Sequence, residues 1–391
     1  MKRIISLILL VALLSACAPV PAATQEKPAE AAPAVPAVHS NAGEFTYVKK
    51  AGETFDINKD YFETVGIKSD LKIASKGGWV QVSGLPKNYP EPKKVYTIGV
   101  AMYFTFDQVA GAILTAVKDA AVKMGVKLII HDANNDQTAQ NEALENWLLQ
   151  GVDGVIVYPA DFNTVAPAIE KLRKAGIPVV AGNPPMTGEV DAINFLNQYE
   201  IGRLSGIQLA DALKAKKGEV SGKVLYGTLP TFHPNAVGRV KGFKDAMNSY
   251  GGKIEYVEIQ SLKQEEAYTK FQDALLANPD TDVTWAVMSA TMLGIIAAAK
   301  DTDSKVLIGG VDNDRPILAA IEKGDIVGTI AYSGFESGTW ALVQLVNKLN
   351  GVDIPGVLGR PINVVDKSNV AEMFAYYYAG ETLEKYMGTQ K

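Results

Sequence analysis

The side chains of this 391-residue chain that could do chemistry lack the spacings of a catalytic centre. There is no Gly-x-Ser-x-Gly elbow, no His-Glu-x-x-His helix and no phosphate-cradling glycine loop. Only three histidines (His39, His131, His233) and one cysteine (Cys17) are available, which leaves little for a metal site or for a nucleophile with its base. Asp56-Ile57-Asn58-Lys59-Asp60 begins like a calcium loop, but Tyr61 stands where that loop needs glycine and Ile67 where it needs a bidentate acid. It reads as a helix cap, and neither a metal nor a cofactor is expected. What remains is a set of hydrogen-bonding and aromatic groups: Tyr103 to Asp107, His131 with Asp132, Asp161, Asn183, Phe232 to Arg239, Ser289 and Asp312. Carboxylates accept from hydroxyl pairs and a guanidinium offers a rigid fork of donors, so such a set recognises a polyhydroxylated ligand without transforming it.

These groups need a scaffold, and one is legible from Lys94 onward. VYTIGVAMYF, VKLIIHDA, GVIVYPA and IPVVAGN read as buried strands; AGAILTAVKDAAVKMG, QNEALENWLLQG and VAPAIEKLRKAG read as amphipathic helices between them. The alternation repeats through KVLYGTL, VGRVKGFKDAMNSY, KIEYVEIQ, AYTKFQDALLAN, VTWAVMS, MLGIIAAAK, KVLIGGVD, PILAAIEKG and IVGTIAY. Apolar strands alternating with helices imply an α/β fold with parallel sheets covered on both faces, here two doubly wound lobes. In such sheets ligands sit outside the carboxyl ends of the strands, where the polar groups named above fall. Two lobes facing each other would make a cleft for a small molecule.

The amino-terminal region predicts where this scaffold works. Lys2 and Arg3 precede a short apolar run that ends in Leu14-Ser15-Ala16-Cys17. The run is shorter than the roughly 20 residues a spanning helix needs, so it reads as an export signal. Its ending resembles a bacterial lipobox, which implies cleavage before Cys17 and lipidation of the thiol. Ala18 to Gly43 is an Ala/Pro-rich tether, extended at roughly 3 Å per residue. Residues 44–93 form an amino-terminal extension in which FTYVKK, LKIAS and WVQVSG read as short strands and YFETVGI as a helical patch. With 47% hydrophobic and 21% charged residues and a net charge of −5, the chain is globular and no partner for nucleic acid.

TIGVAMYFTFDQ, NDQTAQNEALENWLLQGVDGVIVYPAD, GIPVVAGNPP, FHPNAVGRVKGF, IGGVDNDRPILAAIEKG and VGTIAYSG together carry a family likeness. From about Val95 to Val370 the chain resembles the periplasmic sugar-binding proteins of ABC transporters, with the ribose- and galactose-binder (type I periplasmic-binding-protein) fold, and within these the glucose/galactose binders. The resemblance implies lobes at 94–196 with 333–364 and at 197–332 with 365–391. It also implies a three-strand hinge near Asn194 to Gln198, Ala331 to Ser333 and Asn363 to Asp366. Asp107, Asn183, His233, Asn235, Arg239 and Asp312 fall on positions that hydrogen-bond the sugar in those relatives, where Asn235 is an Asp. The relatives' aromatic sandwich falls at Val109 and Lys263, and two further polar contacts at Met288 and Tyr332. Replacement ring faces are sought in Tyr103 and Phe106, with Phe104, Phe232 and Trp285 nearby.

Each of these residues also has a structural reading. Trp285 lies inside VTWAVMS and reads as core. Asp312 and Asn183 are placed to cap a helix or a turn, and His233 to make the turn before Pro234. The expected ligand site is Tyr103, Phe106, Asp107, Asn183, His233, Asn235, Arg239, Asp312 and Tyr332. The expected function is a monomeric, lipid-anchored binding protein in the periplasm or on the outer face of a bacterial cell membrane. It would capture a small ligand, a sugar, and deliver it to an ABC permease, touching the membrane only through its anchor. A ligand-sensing receptor for chemotaxis or signalling, and the same fold holding a non-sugar metabolite, are the alternatives; an enzyme is not expected.

Overall fold

The computed structural model describes residues 56–182, 186–229 and 233–390. The signal with Cys17, the tether, FTYVKK, Asn183 and Phe232 lie outside them. In chain order the strands are β1 (Lys72–Ile73), β2 (Trp79–Gln81), β3 (Thr97–Met102), β4 (Lys127–Asp132), β5 (Gly154–Val157), β6 (Val179–Ala181), β7 (Glu189–Val190), β8 (Ala192–Phe195), β9 (Gly222–Thr228), β10 (Ile254–Gln260), β11 (Thr281–Ala286), β12 (Leu307–Val311), β13 (Gly328–Ala331), β14 (Val357–Gly359) and β15 (Asn363–Asp366). The helices are α1 (Gln108–Met124), α2 (Gln137–Gln150), α3 (Ala166–Lys174), α4 (Gln198–Lys217), α5 (Pro234–Ser249), α6 (Gln264–Ala277), α7 (Ser289–Asp301), α8 (Arg315–Lys323), α9 (Gly334–Leu349), α10 (Val370–Tyr377) and α11 (Leu383–Gly388).

The strands assemble into two main sheets. One has the order β2-β14-β8-β6-β5-β3-β4 and the other β10-β9-β11-β12-β13-β15. All pairings are parallel except β13 with β15. Helices α1 and α9 pack together on one face of the first sheet, and α4 and α5 pack together against the second. Central strands such as β5 and β13 are buried at every residue, which is why they read as unbroken apolar runs. The chain passes between the sheets three times: from β8 into α4, from β13 into α9 and from β14 into β15.

Helix ends follow local chemistry. Asp107 caps α1 by accepting from the Ala110 N–H at 2.6 Å, and Gly125 ends that helix with a left-handed φ of 67°. Asn197 and Ser333 cap α4 and α9, so two of the three crossings end on a capping side chain.

The extension contributes strands to two sheets. LKIAS gives β1, which pairs with β7 in a separate two-stranded sheet, and WVQVSG gives β2, the edge strand of the first main sheet beside β14. The helical patch is a five-residue π-helical turn over Asn58–Phe62, one turn earlier than YFETVGI predicts. Packing sets its position: Tyr61 and Phe62 are each 1% exposed, and Tyr61 meets the Phe62 and Phe195 rings edge-on at 5.4 and 5.3 Å. A Cβ on Gly238 of α5 would lie 2.7 Å from the Tyr61 hydroxyl, so the extension also abuts the helix that carries Arg239.

Candidate ligand-binding cleft

The cleft is built from the carboxyl ends of strands in both sheets. Tyr103 and Phe104 leave β3, Asp107 starts α1, His233 and Asn235 start α5, Asp312 follows β12, and Tyr332 lies in the β13–α9 crossing. These residues, with Val109, Leu229, Ala236, Arg239, Val287 and Met288, line a cavity of about 330 Å³, counting its opening to solvent. The two sides meet across it. The Tyr103 ring lies edge-on to His233 at 5.5 Å, and Gln108 Oε1 accepts from the Arg315 N–H at 3.3 Å.

Arg239 is the centre of the polar network and is 3% exposed. Its Nε donates to Gln198 Oε1 at 2.7 Å, Nη1 to the Val287 carbonyl at 2.6 Å and Nη2 to the Tyr332 hydroxyl at 2.7 Å. Tyr332 donates onward to Asp312 Oδ1 at 2.7 Å, and the Ser289 N–H at the start of α7 donates to Asp312 Oδ2 at 2.9 Å. Asp312 therefore caps no helix of its own; α8 begins at Arg315, and Asp312 serves α7. Its φ of 84° is costly for a residue with a Cβ. The fold holds it there through its N–H on the Ile330 carbonyl and its own carbonyl, which accepts from the Thr329 hydroxyl.

Burial sets the protonation states. His233 Nδ1 accepts from the Asn235 N–H at 3.3 Å, which leaves Nε2 as the protonated nitrogen, buried and without a protein partner among the described residues. Burial, with Arg239 nearby, pushes the imidazole down to about 3, so the ring is neutral and presents one donor. Burial and the Asp312 charge push Asp107 up to about 7, against the opposing pull of backbone N–H groups and Arg239. Asp314, just behind, is raised to about 8 by burial and then by Asp312 and Asp107. The cleft thus offers carboxyl acceptors, two unused guanidinium N–H groups, one imidazole donor and three aromatic rings, Tyr103, Phe104 and Tyr332.

Eight of the nine expected site residues lie among the described residues, and seven of those line the cavity. The eighth, Phe106, is 42% exposed and stacks on Phe104 at 4.3 Å, so Phe104 presents the ring inside. Val109, Met288 and Tyr332 line the wall, whereas Lys263 is exposed before α6 and does not. Trp285 is core: fully buried, stacked on Phe243 at 4.5 Å, with Nε1 donating to Ser205 Oγ at 3.0 Å. His131 lies on β4, whose last residue, Asp132, accepts from the Thr105 hydroxyl. Arg360 escaped sequence reasoning altogether. It is 6% exposed where the crossings meet; its N–H donates to the Phe195 carbonyl at 3.2 Å and Nη1 to the Ser333 carbonyl at 3.2 Å. No motif marks it, because its partners come from two other crossings.

Two α/β layers, three crossings and a buried polar cavity lined from both sides define a two-lobed small-molecule-binding protein. Residues 98–353, well over half of the sequence, match the periplasmic binding protein domain, and the chain belongs to that family. It is similar to the ribose import binding protein of Bacillus subtilis, 25% identical over 277 residues that cover 70% of this chain and 88% of the relative. It is also similar to the D-galactose/methyl-galactoside binding periplasmic protein of Haemophilus influenzae, 28% identical over 270 residues covering 64% and 81%. Among solved structures, a solute-binding protein of Bacillus halodurans with bound myo-inositol shares the fold at a TM-score of 0.67 and 23% identity, covering 72% of this chain and 98% of that one. The family consists of substrate-binding proteins, and membership implies a periplasmic location and a part in transport. No helix among the described residues is long and apolar enough to cross a membrane.

Proposed function

We propose that this chain is the substrate-binding lipoprotein of an ABC importer, that it holds a monosaccharide or a closely related polyol between its lobes, and that it has no catalytic activity of its own. The observation that carries this reading is the convergence of Asp107, His233, Arg239 and Asp312 on one cavity, the last three buried and Asp107 half-buried, each with hydrogen-bonding capacity left over. Buried polar groups are costly unless satisfied, and a ligand rich in hydroxyls satisfies acceptors and donors together. Tyr103 and Phe104 supply apolar faces for the C–H side of such a ring. Asn235 and Tyr332 complete the wall, with Phe106 as an outer contact; Asn183, outside the described residues, is kept as a hydrogen-bonding contact on the family resemblance alone.

In this reading residues 94–196 with 333–364 form one lobe and 197–332 with 365–391 the other. They hinge at the three crossings that Arg360 ties together, and closure on the ligand presents the surface that a permease reads. Gly359 ends a strand of the first sheet and Asn363 begins one of the second, so the third crossing lies between them, just ahead of that boundary. Cys17, lipidated, would anchor a monomer to a membrane face through the 18–43 tether. The test is a thermal-shift panel of monosaccharides, polyols and sugar acids. A ligand at 100 times its Kd stabilises by about 2.7 kcal/mol, so at least one carbohydrate should raise Tm clearly, and a panel without any hit removes the sugar assignment. For the anchor, Cys17→Ala should move the protein from the detergent phase to the aqueous phase; unchanged partitioning would remove the lipid.

A further inference from the structure

One wall of the cleft already holds a hydroxyl of its own. Tyr332 is 6% exposed, its ring lines the cavity, and its Oη accepts from Arg239 Nη2 and donates to Asp312 Oδ1, both at 2.7 Å. Arg239 Nη1 and Asp312 Oδ1 stand 3.7 Å apart, beyond hydrogen-bond range, so the phenol is the bridge between the two charges. A carbohydrate hydroxyl has the same two-sided capacity: it accepts from a guanidinium and donates to a carboxylate. Met288 and Val287 border the same cavity, and the Val287 carbonyl is occupied by Arg239 Nη1.

The remaining polar capacity is correspondingly restricted. Three of the five N–H groups of Arg239 are taken by Gln198, Val287 and Tyr332. Asp312 Oδ2 is held by the Ser289 N–H. What stays open is the other two N–H groups of Arg239, Asp107 and His233 Nε2, all on the same cavity. Building on the carbohydrate reading above, we propose that Tyr332 sets the length of the ligand. Its phenol fills the place, and takes both polar partners, of a terminal hydroxymethyl group, so the cleft is matched to a five-carbon sugar or polyol and rejects the six-carbon homologue.

The test uses pyranose pairs that differ only by that group, D-xylose with D-glucose, L-arabinose with D-galactose and D-ribose with D-allose, titrated calorimetrically into the full chain. The native protein should bind the five-carbon member of at least one pair about tenfold or more tighter, the scale at which a pocket rejects added bulk or leaves its polar groups unpaired. Tyr332→Ser opens the space and leaves Asp312 and Arg239 facing it, and should cut that preference about tenfold or reverse it. Tyr332→Phe keeps the ring without the bridge; it should weaken both members of a pair and leave their ratio unchanged. A native protein that binds both members equally overturns the proposal whether or not the serine variant folds, and so does a folded serine variant with the native ratio. In either case the carbohydrate reading stands, because sugars still bind. If no pentose, hexose or polyol binds the native protein, that reading falls and the length assignment falls with it.

Discussion

Replacing Arg239 by methionine keeps an unbranched apolar stem and removes the fork of donors. The guanidinium is 3% exposed and bonded to Gln198, Val287 and Tyr332, with Asp312 at 3.7 Å. In the variant the Val287 carbonyl and Gln198 Oε1 lose a charged donor, and Asp312 and Asp107 lose the only cation among the cavity-lining residues. Removing one partner of a buried charge pair costs about 3–5 kcal/mol. At about 2–4 °C per kcal/mol for units of 150–250 residues, Tm should fall by on the order of 10 °C. Ligand affinity should fall separately, since each hydrogen bond to a charged donor contributes about 1.5–3 kcal/mol, or roughly 10- to 150-fold in Kd. Differential scanning calorimetry without ligand reads the first effect and titration with the best-bound sugar the second. Arg239→Lys, which keeps the charge without the fork, should lose less stability than methionine and nearly as much affinity. A methionine variant that melts within about 2 °C of the native protein and binds normally would refute the placement of Arg239 at the centre of the site.

Three further outcomes follow from the same geometry. Asp314 is raised from 3.8 to about 8, so the native state holds its proton more tightly than the unfolded chain; its contribution is full below pH 3.8 and lost as pH rises toward 8. Asp314→Asn should therefore flatten the fall of ligand-free Tm between pH 4 and 8, and a variant with the native pH slope contradicts this. A Cβ on Gly202 of α4 would lie 1.9 Å from the Arg239 carbonyl, so Gly202→Ala must push α4 from α5; a loss of about 3 kcal/mol or more, with weakened sugar binding, is expected in urea melts and titrations. Tyr61→Ala should cost about 3–5 kcal/mol in urea melts, because the ring is 1% exposed against Phe62 and Phe195; an unchanged midpoint would show the extension to be a loose appendage.

Much of the fold was readable because parallel strands buried on both faces leave continuous apolar runs, as in β5 and β13, and because glycines and capping side chains punctuate the helices between them. The exceptions are non-local. Nothing in WVQ states that it will pair beside VLG 278 positions on, and the antiparallel turn of β15 against β13 depends on the last crossing. The extension shifted by a turn because burial of Tyr61 and Phe62 outweighed local periodicity. Site residues were legible where a polar side chain follows a strand, as Asp312 does, or starts a helix, as Asp107 and His233 do. The structure adds a cap to the ligand role read for Asp107, and the two are compatible: one carboxyl oxygen holds the Ala110 N–H while the side chain still lines the cavity. The sequence reading put Phe106 in the site with Phe104 beside it, whereas Phe104 is the ring that lines the cavity; the segment between β3 and α1 is irregular and has no period to say which ring faces in. Arg360 left no trace because its role exists only once three separated segments meet.

The central claim is that a carbohydrate is held by the buried carboxylates of this cleft. It is tested most directly by calorimetric titration of the full chain, native and Asp107→Ala/Asp312→Ala, with pentoses, hexoses and polyols. We predict saturable binding of one sugar or polyol per native chain and no measurable binding by a folded double variant; no carbohydrate binding by the native chain, or undiminished binding by the variant, would contradict it.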